Sequence, residues 1–99
     1  MSTFFVYEGR FPLTSLSPAQ SRAARGLLEW PQKMLADRSN LSESTIRDFE
    51  KGRRVPSPNN LAAIRAALES AGVIFVEENG EGPGVRLRKA PQGTEGLGK

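Results

Sequence analysis

The side chains able to do chemistry crowd into the middle of this 99-residue sequence, and their types suit binding rather than bond-making. The chain has no cysteine and no histidine. That removes thiol nucleophiles, Cys/His zinc sites, disulfide staples and any triad with an imidazole base. No pair of carboxylates is spaced in a way that argues for acid–base catalysis. Gly80, Gly82 and Gly84 read as a hairpin loop, not a phosphate cradle. No enzyme activity, cofactor or metal is expected. What remains is cationic and hydrogen-bonding. Residues 17–72 hold nine basic against six acidic side chains while both flanks balance, so the whole net charge of +3 lies there. An excess placed this way suits a polyanionic partner.

Within that region, three residues have a spacing that matters. Two short helices joined by a brief turn pack steeply only if a small residue sits at their contact. The turn must also tolerate an unusual backbone angle, and an apolar residue of the second helix must plug the crossing. Ala36, Asn40 and Ile46 meet these conditions in order. Asparagine is one of the few residues besides glycine that accept the left-handed conformation. The pattern is the signature of a helix-turn-helix that enters DNA.

The elements that must hold this unit are marked by caps. Ser17-Pro18-Ala19-Gln20 combines an N-cap, a proline at the first helical position and a capping box. A helix should run from there to Leu28 with Ala19, Ala23, Leu27 and Leu28 inward. Pro31 opens a second helix with Met34, Leu35 and Ala36 inward. Ser42 caps a third, with Ile46 and Phe49 facing the core and Gly52 ending it. Ser57-Pro58 starts a fourth, inward at Leu61, Ile64, Ala67 and Leu68 and closed by Gly72. The period then shortens. Val73-Ile74-Phe75-Val76 and the alternating Val85-Arg86-Leu87-Arg88 flank Asn79-Gly80, which reads as a β-hairpin.

The stretch from Gln32 to Pro56 resembles the Cro/lambda-repressor-type helix-turn-helix family. Gln32, Leu35-Ala36, Ser42, Thr45-Ile46, Glu50, Gly52 and Pro56 stand where that pattern has them. Asn40 replaces the commoner turn glycine, and Pro31 takes a place often held by Ser or Thr. The resemblance covers residues 17–72. It implies a mainly α domain of four to five helices, to which the residue pattern adds a C-terminal β-hairpin and a candidate N-terminal strand. It also implies roles. Gln32 would grip a phosphate and buttress the reading helix. Ser42 would cap that helix, and Glu43, Ser44 and Asp48 would face base edges with Arg47 beside them. Arg53 and Arg54 would contact backbone phosphates. Arg25 and Glu50 would form a buried ion pair.

These readings divide the chain into an arm (1–16), a DNA-binding domain (17–72), a hairpin (73–89) and a tail (90–99). Phe4, Phe5, Val6 and Tyr7 read as a candidate apolar strand, and Val73, Ile74, Phe75 and Val76 have two apolar faces. A hairpin alone would be marginal in water. The two segments are therefore expected to share a sheet across a homodimer. The expected function is a sequence-specific regulator, in its simplest form a repressor binding double-stranded DNA at a palindromic operator. An alternative is an antitoxin-like or antiactivator-binding module that also carries a helix-turn-helix, with a protein antagonist or toxin as partner. No apolar run approaches the roughly 20 residues of a membrane helix, and the apolar patch at 4–7 is too short for a signal peptide. A cytoplasmic location and no membrane partner are expected.

Overall fold

The computed structural model describes residues 16–77 and 80–89. Four helices, α1 (Pro18–Leu28), α2 (Gln32–Ser39), α3 (Glu43–Glu50) and α4 (Pro58–Ser70), precede an antiparallel pair, β1 (Val73–Val76) and β2 (Gly84–Leu87). The mainly helical architecture with a C-terminal hairpin is the expected one. Residues 1–15 of the arm, including Phe4–Tyr7, the turn residue Asn79 and the tail lie outside the described residues.

Local chemistry sets the boundaries. Ser17 Oγ accepts from the Gln20 amide, and Gln20 Oε1 accepts from the Ser17 amide, both at 3.0 Å, which closes the capping box. Ser42 and Ser57 accept from the amides of Thr45 and Asn60 in the same way. Two non-glycine residues take the left-handed conformation, Glu29 (φ 59°) after α1 and Asn40 (φ 62°) after α2. Pro31 is the N-cap of α2 rather than its first helical residue, and it supplies no side-chain acceptor.

Leu35, Ile46, Ile64 and Leu68 are fully buried at the centre, with Ala24, Ala36 and Phe49 around them. Val73 and Phe75 close this core from the hairpin side. Their register opposite Leu87 and Val85 turns one sheet face inward and leaves Ile74 and Val76 half-buried. The Gln20 side-chain amide donates to the Gly84 carbonyl at 3.1 Å, and the Arg88 amide donates to that of Gly72 at 2.6 Å.

Of the apolar stripe expected on α1, Leu28 packs against the core, but the other three members do not. Ala19, Ala23 and Leu27 are not among its buried residues, whereas Ser21 and Ala24 are fully buried. The reason is Glu50, at the end of α3, which is only 2 % exposed. A buried carboxylate must be surrounded by donors, and α1 rotates to provide them. Arg25 Nε reaches the two carboxylate oxygens at 3.2 and 3.0 Å, and Arg25 Nη2 lies 2.7 Å from Oε1. Ser21 Oγ donates at 2.6 Å and Gln32 Nε2 at 3.2 Å. Arg25 Nη1 also donates to the Trp30 carbonyl at 3.0 Å, fastening the α1–α2 link.

Burial alone would raise the Glu50 pKa. The hydrogen bonds from Arg25, Ser21 and Gln32, with the Arg25 charge, outweigh it and hold the carboxyl below the usual glutamate range. Because the folded value is the lower one, the stabilisation is complete above the unfolded value of about 4.3 and is lost as pH falls through the folded value. Urea titrations from pH 7 to pH 3 should show stability falling below about pH 4.3, with a shallower fall in Glu50→Gln. Arg25→Ala strands the buried charge and should cost on the order of 3–5 kcal/mol at pH 7. An unfolding midpoint equal to the parent's would refute that role.

Candidate nucleic-acid interface

The turn between α2 and α3 is made by three residues with distinct tasks. Asn40 reverses the chain in the left-handed conformation, its amide donating to the carbonyls of Ala36 and Asp37. Leu41 packs half-buried against the core, and its amide donates to Ala36 at 2.9 Å. Ser42 starts α3. Ala36, 2 % exposed, gives the small contact surface, and Ile46, 0 % exposed, fills the crossing. Ser39 stays buried by turning its hydroxyl onto the Leu35 carbonyl at 2.7 Å.

With its Ile46–Phe49–Glu50 side committed inward, α3 has its N-terminal turn at the surface. Ser42, Glu43, Ser44 and Arg47 are exposed, and Thr45 and Asp48 are half-buried. Beyond α3, Gly52 (φ 79°) turns the chain, and the Arg53 amide closes the turn on the Asp48 carbonyl at 2.9 Å. Arg53, Arg54 and Val55 are exposed, with Val55 at 88 %, while Pro56 is buried and anchors the loop.

The loop is tied back to the reading helix. Arg54 Nη1 lies 3.5 Å from Thr45 Oγ1, which lies 2.8 Å from Ser42 Oγ, itself 3.1 Å from Ser44 Oγ. A guanidinium therefore sits beside the positive end of α3, joined to it by hydroxyls. Sequence reasoning passes over Thr45 as a member of this group. The run of hydroxyls at Ser42, Ser44 and Thr45 is the available signal.

The remaining expected residues divide cleanly. Gln32 is bonded to Glu50, so it braces α3 from the first turn of α2. Arg25 and Glu50 are joined. Arg22 donates to the Glu50 backbone carbonyl, placing a cation at the negative end of α3. Arg53 is in the same loop as Arg54 without joining the hydroxyl chain. Of the expected pairing residues, Val73 and Phe75 belong to this chain's own core. Among the described residues, no cluster of carboxylates could hold a metal ion, and no helix is long and apolar enough to cross a membrane.

A helix-turn-helix family model matches residues 22–71, half of the chain, and spans α2, α3 and the Arg53–Arg54 loop. No curated protein matches the sequence. The spacing, the turn geometry and this match converge: the chain belongs to the Cro/lambda-repressor-type helix-turn-helix family of DNA-binding regulators.

Proposed function

We propose that this protein is a transcriptional repressor that binds a palindromic operator as a homodimer, with α3 in the major groove. The observation that carries the reading is the join between Arg54 and Thr45, which sets a backbone-seeking guanidinium against an exposed helix start. Guanidinium–phosphate contacts are charge-assisted and release counterions, so Arg53 and Arg54 supply sequence-independent affinity. The first turn of α2 has no side-chain cap, because Pro31 is its N-cap. A phosphate oxygen can satisfy the amides of Gln32 and Lys33 there.

Base reading falls to Glu43, Ser44, Arg47 and Asp48. A glutamate accepts from cytosine N4, a serine bonds several base edges, and arginine favours guanine. Two acids on the reading face weaken non-specific attraction and raise the cost of a wrong register.

Pairing supplies the selectivity that a single helix lacks. One reading helix touches few bases, and proteins of this type gain selectivity on half-sites about 34 Å apart. The apolar material for the seam is Ile74 and Val76, half-buried on β1, with Phe4–Tyr7 of the arm. Bound across a promoter, such a dimer represses by occlusion.

Arg53→Ala or Arg54→Ala should weaken binding to specific and random duplexes alike. Each should lower the slope of log K against log[salt] by about one unit for every phosphate that is no longer neutralised. An unchanged slope would overturn the phosphate assignment. Glu43→Gln should instead leave the slope intact and change the bases enriched when bound fragments are selected from random DNA. Removal of residues 1–8 should halve the mass seen by light scattering and reduce operator affinity. A truncated chain that remains dimeric would place the seam elsewhere.

A further inference from the structure

Val55 is 88 % exposed, more than any other large hydrophobic side chain among the described residues. Exposure alone decides little, because single apolar residues are common on protein surfaces. The setting of this one is more telling. Its neighbours are fastened on both sides: Pro56 is buried, and Arg54 Nη1 lies 3.5 Å from Thr45 Oγ1. One residue earlier, the Arg53 amide closes on the Asp48 carbonyl at 2.9 Å. A β-branched side chain is itself stiff at χ1. An isopropyl group is thus held at a fixed place on the surface, next to two cations and beside the start of α3. The other exposed large hydrophobics, Leu27 and Leu87, belong to α1 and β2, so this loop presents no apolar patch of the size that docks a protein.

We propose, on the DNA-binding reading above, that Val55 packs against a deoxyribose of the strand whose phosphates Arg53 and Arg54 neutralise. The wall of a duplex offers two surfaces in alternation, anionic phosphate and the C–H face of the sugar. Arginine suits the first. A side chain with no polar atom suits the second, where it gives up only water. Reach selects the sugar over the bases. Arg54 folds back on Thr45 instead of extending into solvent, so its backbone stays near whatever its guanidinium meets. Val55 follows about 3.8 Å on and carries a short side chain. From there an isopropyl group touches the strand wall and stops short of the base edges, which are left to Glu43, Ser44, Arg47 and Asp48 of α3. The contact adds affinity with no sequence preference and no counterion release. It is therefore separable in experiment from the arginines and from the reading helix.

The test uses the full chain with a duplex enriched from random DNA and with a random duplex of equal length. Val55→Ala should weaken binding to both by about three- to tenfold. The slope of log K against log[salt] should stay at the parent's value, unlike that of the Arg53 and Arg54 variants. Val55→Ile keeps an aliphatic surface and should recover most of the loss. Because the side chain is exposed, Val55→Ala should unfold at the parent's urea midpoint. Isotope-edited NMR of the complex should place the Val55 methyls next to deoxyribose protons. Contacts to thymine methyls, a loss confined to the enriched duplex or a lowered salt slope would each overturn the sugar assignment. So would parent-like affinity in Val55→Ala, or a lowered unfolding midpoint. A parent chain that binds neither duplex would instead sink the DNA-binding reading, and this contact with it.

Discussion

One buried carboxylate fixes the geometry of the reading helix. Glu50 ends α3 under donors from Ser21 and Arg25 of α1 and Gln32 of α2, so three helices meet at two oxygen atoms. Apolar residues of similar volume could fill such a site with equal or greater stability. They would not fix direction, since dispersion contacts tolerate rotation and translation along a helix. A carboxylate with two arginine nitrogens and two neutral donors tolerates very little. The consequence is felt at the far end of α3, where Ser42, Glu43 and Ser44 stand up to eight residues and roughly 12 Å away along the axis. Over that distance a small change in tilt would displace these exposed side chains by more than a hydrogen bond allows.

The same economy governs the turn residues. Asn40 and Gly52 both adopt positive φ, one before and one after the reading helix. Between them α3 has only eight residues, too few to be stable in isolation. Its order comes from Ile46 and Phe49 beneath it, the Ser42 cap in front and the Arg22 cation behind. With the inward side so fully engaged, the outward side is free to carry polar residues with low helix propensity. The interface can then hold two acids beside its arginines without loss of fold.

Much of this was legible in the sequence because it is written in local rules. Ser17, Ser42 and Ser57 cap because a hydroxyl placed there meets orphan amides, and Ala36, Asn40 and Ile46 fix the crossing by size and backbone tolerance alone. The α1 face was not legible from periodicity. Counting apolar residues selects Ala19, Ala23 and Leu27, but the inward direction is set by the electrostatic need of Glu50, 29 residues from Ser21. Alanine is a weak guide in such a case, since a methyl group gains little by burial compared with a carboxylate that must be satisfied. The Arg54–Thr45 contact was hidden for a related reason. It joins a loop to a helix start, and its geometry depends on the turn at Gly52 and the anchor at Pro56.

The hairpin shows why the helix-turn-helix region alone is an incomplete unit. Val73 and Phe75 join Ile64 and Leu68 of α4 in one buried cluster, and a two-stranded sheet in turn needs a packed face to persist. Arg65 strengthens this dependence. Its guanidinium lies 4.9 Å from the centre of the Phe75 ring, 2.9 Å from Glu69 Oε2 and 3.6 Å from Glu77 Oε2. A cation on α4 is thus shared between an acid of its own helix, a ring of β1 and an acid just beyond β1. Gln20 binds the other strand at Gly84, so the hairpin is held at both sides by helices, one of which also frames Glu50. Gln20, Ser21 and Arg25 of α1 thus connect the hairpin to the end of α3 through hydrogen bonds.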